Sequence, residues 1–130
     1  MNKFLARLEM SKETRKAFRI ARDGIEGYRD EAEVAASIVG RALDDKWPGY
    51  SSCCREAYVK SARYRVYLKM AYPNASDNSV DQAASDIAWV DSRTVSQDVH
   101  EKNLKNARKS VEKMITENKS DDNPLFWMRR

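Results

Sequence analysis

Histidine occurs once, cysteine twice, proline three times and glycine four times in 130 residues, and each scarcity removes a class of protein. Cys53 and Cys54 are sequence neighbours, so a bridge between them would be badly strained and no third cysteine offers another partner. Zinc is excluded by the same shortage, because a structural site needs about four nitrogen or sulfur ligands and His100 stands far from the cysteine pair. Neither a metal nor a cofactor is expected. Long apolar runs are missing too: nothing reaches the roughly 18 uncharged residues of a membrane-spanning helix. Arg7 also cuts the opening Met1-Asn2-Lys3-Phe4-Leu5-Ala6 before the apolar stretch of an export signal could form. No membrane contact is expected, and two free thiols suit the reducing cytoplasm, where the chain is expected to reside.

Catalytic constellations are equally scarce. No glycine-rich phosphate loop, dinucleotide fingerprint, nucleophile elbow or paired-histidine motif occurs. His100 has no serine or cysteine in a context that would make a triad. The carboxylate pairs Asp44-Asp45 and Asp121-Asp122 are adjacent residues, whose side chains diverge on a helix. No catalytic residue is therefore assigned, and the expected role is noncatalytic.

What the sequence does have is apolar residues at helical spacing. With 42% hydrophobic and 34% charged residues there is enough material for one core, and no segment shows the alternation of a strand. The pattern predicts an all-α bundle of about five helices over residues 1–118, followed by a C-terminal tail over 119–130. After a short opening segment around Phe4, Leu5 and Leu8, Ser11 caps a helix reaching about Tyr28. Asp30 with Glu33 reads as a capping box for the second helix, which ends at Trp47-Pro48-Gly49. That second helix carries Ala32, Val34, Ala35, Ala36, Ile38, Val39, Ala42 and Leu43 around most of its circumference, which places it at the centre of the core. A third helix runs from Ser52 to Ala71 and stops before Pro73. Ser79 with Gln82 marks the start of a fourth, short helix. Asp91 or Ser92 caps a fifth, which contains Val95, Val99, Leu104, Ala107, Val111, Met114 and Ile115 and fades at Asn118.

Charge alternates in blocks along the chain. Residues 51–72 hold five cations against Glu56 alone, whereas residues 73–100 hold five Asp against Arg93 alone. The reading that follows is of oppositely charged helices packed side by side, with rim ion pairs of small individual value.

Two features point to protein binding. Helix three is two-sided, with Val59, Ala62, Val66 and Met70 opposite Ala57, Tyr64, Leu68 and Ala71; it is either sandwiched or awaits a partner. Lys60, Arg63, Tyr64 and Tyr67 on it are candidate contacts. The tail offers Leu125, Phe126, Trp127 and Met128, four large apolar residues near a chain end that either fold back or anchor a partner. The expectation is a small adaptor, regulator or inhibitor that binds another protein, with a target that handles nucleic acid and a homodimer both in view. The alternative is a small DNA-binding regulator. Residues 86–96 resemble a helix-turn-helix, although the turn glycine and part of the spacing are missing. In that reading Arg93, Thr94, Ser96 and Gln97 face the bases, and Lys102, Lys105, Arg108 and Lys109 meet phosphates.

Overall fold

The computed structural model describes residues 12–49, 52–92 and 96–120. Five helices account for almost all of them: α1 (Lys12–Asp23), α2 (Arg29–Lys46), α3 (Ser52–Ala71), α4 (Asp77–Asp91) and α5 (Gln97–Ser120). Among the described residues there is no strand, so the all-α bundle stands. No described helix is long and apolar enough to cross a membrane.

Side-chain contacts fix the directions. Arg55 meets Asp44 and Arg63 meets Glu33, so α2 and α3 run antiparallel. Arg65 meets Asp81 and Lys69 meets Asp77, which makes α3 and α4 antiparallel as well. Glu117 reaches Ser79 and Ser110 reaches Asp86, continuing the alternation to α5. Helix α1 packs on α3 and α5, with Glu13 paired to Lys119 at one end and Arg22 to Asp91 at the other. The result is a four-helix core of α1, α3, α4 and α5, with α2 resting on the outer side of α3.

That core is built from small and medium side chains at helical spacing. Ala17, Phe18 and Ala21 of α1 face Tyr64, Tyr67 and Leu68 of α3, Val80, Ala84 and Ile87 of α4, and Leu104, Val111 and Met114 of α5. Leu68, Ile87, Met114, Val80 and Val111 are fully buried. Each such side chain contributes about 1.5–3 kcal/mol relative to exposure, and this is what holds the elements together.

Several boundaries differ from the sequence reading, each for a local reason. Helix α1 stops at Asp23 rather than near Tyr28 because Gly24 takes φ +84° and its N–H closes on the Ile20 carbonyl, an αL helix end. Asp30 and Glu33 form no capping box: α2 begins at Arg29 after Tyr28, whose side chain makes no capping bond, and Glu33 is turned to Arg63. Helix α4 starts two residues before Ser79, because Ser76 Oγ accepts the Ser79 N–H at 3.2 Å, while Gln82 donates to Asp86. Ser92 follows the last residue of α4 instead of opening α5, and Ser96 Oγ accepts the Val99 N–H at the start of α5. Helix α5 continues past Asn118 to Ser120.

The largest correction concerns α2. It was expected at the centre, yet only the stripe Ala32, Ala36, Gly40 and Leu43 is buried, and Val34 and Ile38 are 59% and 56% exposed. The central helices are α3 and α4, the latter burying Ser79, Val80, Ala83, Ala84, Ile87, Ala88 and Val90. Small residues let α4 sit between α3 and α5 at close range, whereas the branched side chains of α2 face outward.

Candidate functional site

Helix α3 was the first candidate surface, and its basic residues are neutralised inside the fold. Arg55 Nε lies 2.9 Å from Asp44 Oδ1. Arg63 Nε lies 2.8 Å from Glu33 Oε1 without a hydrogen bond of its own, and Arg63 Nη2 donates to Glu33 Oε2 at 3.4 Å. Lys60 Nζ is 3.0 Å from Glu56 Oε1 and donates to the Asp91 carbonyl at 3.3 Å. Arg65 pairs with Asp81, and Lys69 Nζ lies 2.8 Å from Asp77 Oδ1. The carboxyls of Asp44 and Asp77 are held below the usual range by the hydrogen bonds of Arg55 and Lys69.

The tyrosines follow the same logic. Tyr64 and Tyr67 are 4% and 3% exposed, and Tyr64 donates its hydroxyl hydrogen to Asp91. Burial, reinforced by the neighbouring Asp91 carboxylate, pushes the Tyr64 phenol far above its ordinary value. Of the candidate contacts Lys60, Arg63, Tyr64 and Tyr67, the two tyrosines are therefore core residues, while Lys60 and Arg63 remain partly exposed. The helix is sandwiched, with α2 on one side and α1 and α4 on the other, and its polar groups serve the bundle.

With Glu33 and Asp44 of α2 and Asp77 and Asp81 of α4 paired to α3, exposed cations without an ion pair among the described residues stand in rows on α1 and α5, besides Arg29 and Arg41 of α2. Lys12, Arg15, Lys16 and Arg19 are exposed, on the side of α1 opposite the buried Thr14, Ala17, Phe18 and Ala21. Lys102, Lys105, Lys109 and Lys113 are exposed on α5, opposite Leu104, Ala107, Val111 and Met114. Successive members on either helix are one to four residues apart, so each set forms a stripe along the outer surface. None of these eight side chains has an ion pair among the described residues, in contrast to every cation of α3.

The sites proposed for nucleic acid are scattered. Lys102, Lys105 and Lys109 belong to the α5 stripe, whereas Arg108 is half-buried. Ser96 caps α5, and Gln97 donates to Glu101 at 3.3 Å. Arg93 and Thr94 lie outside the described residues, as do Leu125, Phe126, Trp127 and Met128 of the tail. Helices α4 and α5 lie antiparallel, in contact from Ser79–Glu117 to Asp86–Ser110, whereas helix-turn-helix pairs cross at about 90–120°.

Two signals were missed in the sequence. One is the α1 stripe, which sequence reasoning did not single out as a site. The other is the apolar outer side of α2, which read as core. The groove between α2 and α3, lined by Glu33, Ser37, Arg41, Arg55, Val59 and Arg63, holds no uncommitted carboxylate, since Glu33 is paired to Arg63. No protein-family model, curated protein or solved structure matches the chain.

Proposed function

We propose that the protein is a noncatalytic binding module, an adaptor, regulator or inhibitor, that docks an acidic surface of another protein onto the outward cations of α1 and α5. One observation carries this reading: eight cations on those two helices are exposed and have no ion pair among the described residues, while the five on α3 are neutralised within the fold. Such a field attracts an acidic partner over about one Debye length, roughly 8 Å at physiological salt, and raises its rate of encounter. A protein target is favoured over nucleic acid by what accompanies the cations. The exposed faces of α1 and α5 present no Phe, Tyr or Trp to stack on bases, and Asp98 and Glu112 interrupt the α5 surface.

A small DNA-binding regulator is the second reading, favoured by the row Lys102, Lys105 and Lys109, which could track a duplex backbone. One experiment separates them. Anisotropy of a labelled poly-glutamate peptide and of a labelled duplex of equal charge is measured at about 150 mM salt, where unspecific contacts weaken. Tighter binding of the peptide, lost on combining Lys105→Glu with Lys109→Glu, is the expected result. Tighter binding of the duplex selects the second reading, and no binding of either probe refutes both.

A further inference from the structure

We infer that the outer face of α2 is a self-complementary surface on which a second copy of this chain docks, with the two α2 helices antiparallel. The inference goes beyond the basic surface of α1 and α5 and does not depend on it. Val34 and Ile38 are the two most exposed of the large hydrophobic side chains described, at 59% and 56%, and they share the side of α2 that points away from α3. Glu31 flanks them on the same side and Arg41 stands at its border with the α2–α3 groove, since positions 31, 34, 38 and 41 are three or four residues apart. Both charged residues are exposed, and neither has an ion pair among the described residues.

The order of these four residues selects the occupant. In a two-fold contact, residue i of one copy meets residue j of the other, and j meets i. Positions 34 and 38 are centred on 36, and so are positions 31 and 41. A single antiparallel register therefore places Val34 against Ile38 of the second copy and Glu31 against Arg41 of the second copy, each pair occurring twice. A parallel register would instead oppose Glu31 to Glu31 and Arg41 to Arg41. Asp45, in the antiparallel register, falls beyond the first residue of the other α2, beside the positive end of that helix, where a carboxylate is favoured. The small Ala35 and Ala42 beside the stripe allow the helices to approach closely.

One helix per copy covers less than the roughly 1,200 Å² of a stable interface, so the dimer is weak and in rapid exchange. Sedimentation equilibrium of the full chain, from about 10 μM to 1 mM, spans the range of such contacts. Dimer should appear in the upper part of that range, and Ile38→Asp should abolish it while leaving the helical circular dichroism unchanged. Glu31→Arg alone and Arg41→Glu alone should each weaken association about tenfold, because each converts two attractive pairs into two repulsive ones. The double variant E31R/R41E should recover it, and an equimolar mixture of the two single variants should associate better than either alone. A monomer throughout, or a double variant no better than the singles, overturns the inference. So does a monomer in which deleting residues 125–130 shifts the Val34 and Ile38 methyl resonances, since the face would then belong to the tail.

Discussion

Tyr64 donates its phenolic hydrogen to Asp91 at 2.9 Å, joining α3 to the last residue of α4 across 27 positions of sequence. The other carboxylate oxygen of Asp91 lies 2.8 Å from Arg22 Nε, so one side chain ties α1, α3 and α4 together. A negative charge at the C-terminal end of a helix is unfavourable by itself, and these two partners with Lys60 offset it. Replacing Tyr64 by Phe keeps the ring in the core and removes only the bond, at a cost of about 1.5–3 kcal/mol for a hydrogen bond to a charged group. At on the order of 3–5 °C per kcal/mol for a domain of this size, Tm should fall by about 5–15 °C. Asp91→Ala should cost more, because it strands a buried hydroxyl and frees Arg22. A Tyr64→Phe protein melting within about a degree of the parent would show that the bond contributes nothing net.

The turn after α1 provides a second measurement with its own control. Gly24 and Gly27 both have positive φ, +84° and +95°, where a β-carbon costs about 1–2 kcal/mol. Only at Gly24 is the space also occupied: an added Cβ would stand 2.7 Å from Tyr67 Cζ, and nothing lies within 4 Å at Gly27. Tyr67 is buried and cannot move aside without opening the core. Gly27→Ala should therefore cost the backbone strain alone, and Gly24→Ala about 1–3 kcal/mol beyond it from overpacking. Equal losses in urea denaturation would mean that the ring yields freely.

Glu117 supplies the pH dependence. Its carboxylate accepts from the Ser76 N–H at 3.0 Å and from Ser79 Oγ at 2.8 Å, capping the first turn of α4 from the far end of α5. Those hydrogen bonds hold its carboxyl below the ordinary value of 4.5. In the folded state it therefore binds a proton less readily than in the unfolded chain, and stability falls as acidity increases. The contribution is complete above pH 4.5 and lost as pH falls through the lowered folded value. Glu117→Gln, which mimics the protonated form, should be less stable than the parent near neutral pH and should converge with it in acid. A stability gap that persists unchanged in acid would show that the charge of Glu117 has no part in it.

The sequence alone determined that the chain is helical, roughly where the five helices lie, and which residues form the core of α1, α4 and α5. The reason is local: Ala17, Phe18 and Ala21, or Leu104, Val111 and Met114, recur at the helical period, and a stripe of that kind must be buried against something. Three of the helix starts or ends were misplaced because glycine in the αL conformation and serine caps act through one or two bonds that several neighbouring residues could equally supply. Only the tertiary structure decided what each stripe faces. Helix α2 read as the centre because its apolar residues outnumber those needed for one face, yet it rests mainly on α3 and leaves Val34 and Ile38 in solvent. Charge behaved in the same way. The alternation of basic and acidic segments is visible in the letters, but which cations are neutralised depends on partners far off in the chain, such as Lys60 with Asp91 and Arg63 with Glu33, 31 and 30 positions apart. A helix carries its periodicity within itself, whereas neutralisation and burial are properties of its neighbours, so the basic surface of α1 and α5 emerged only once α3 had been surrounded.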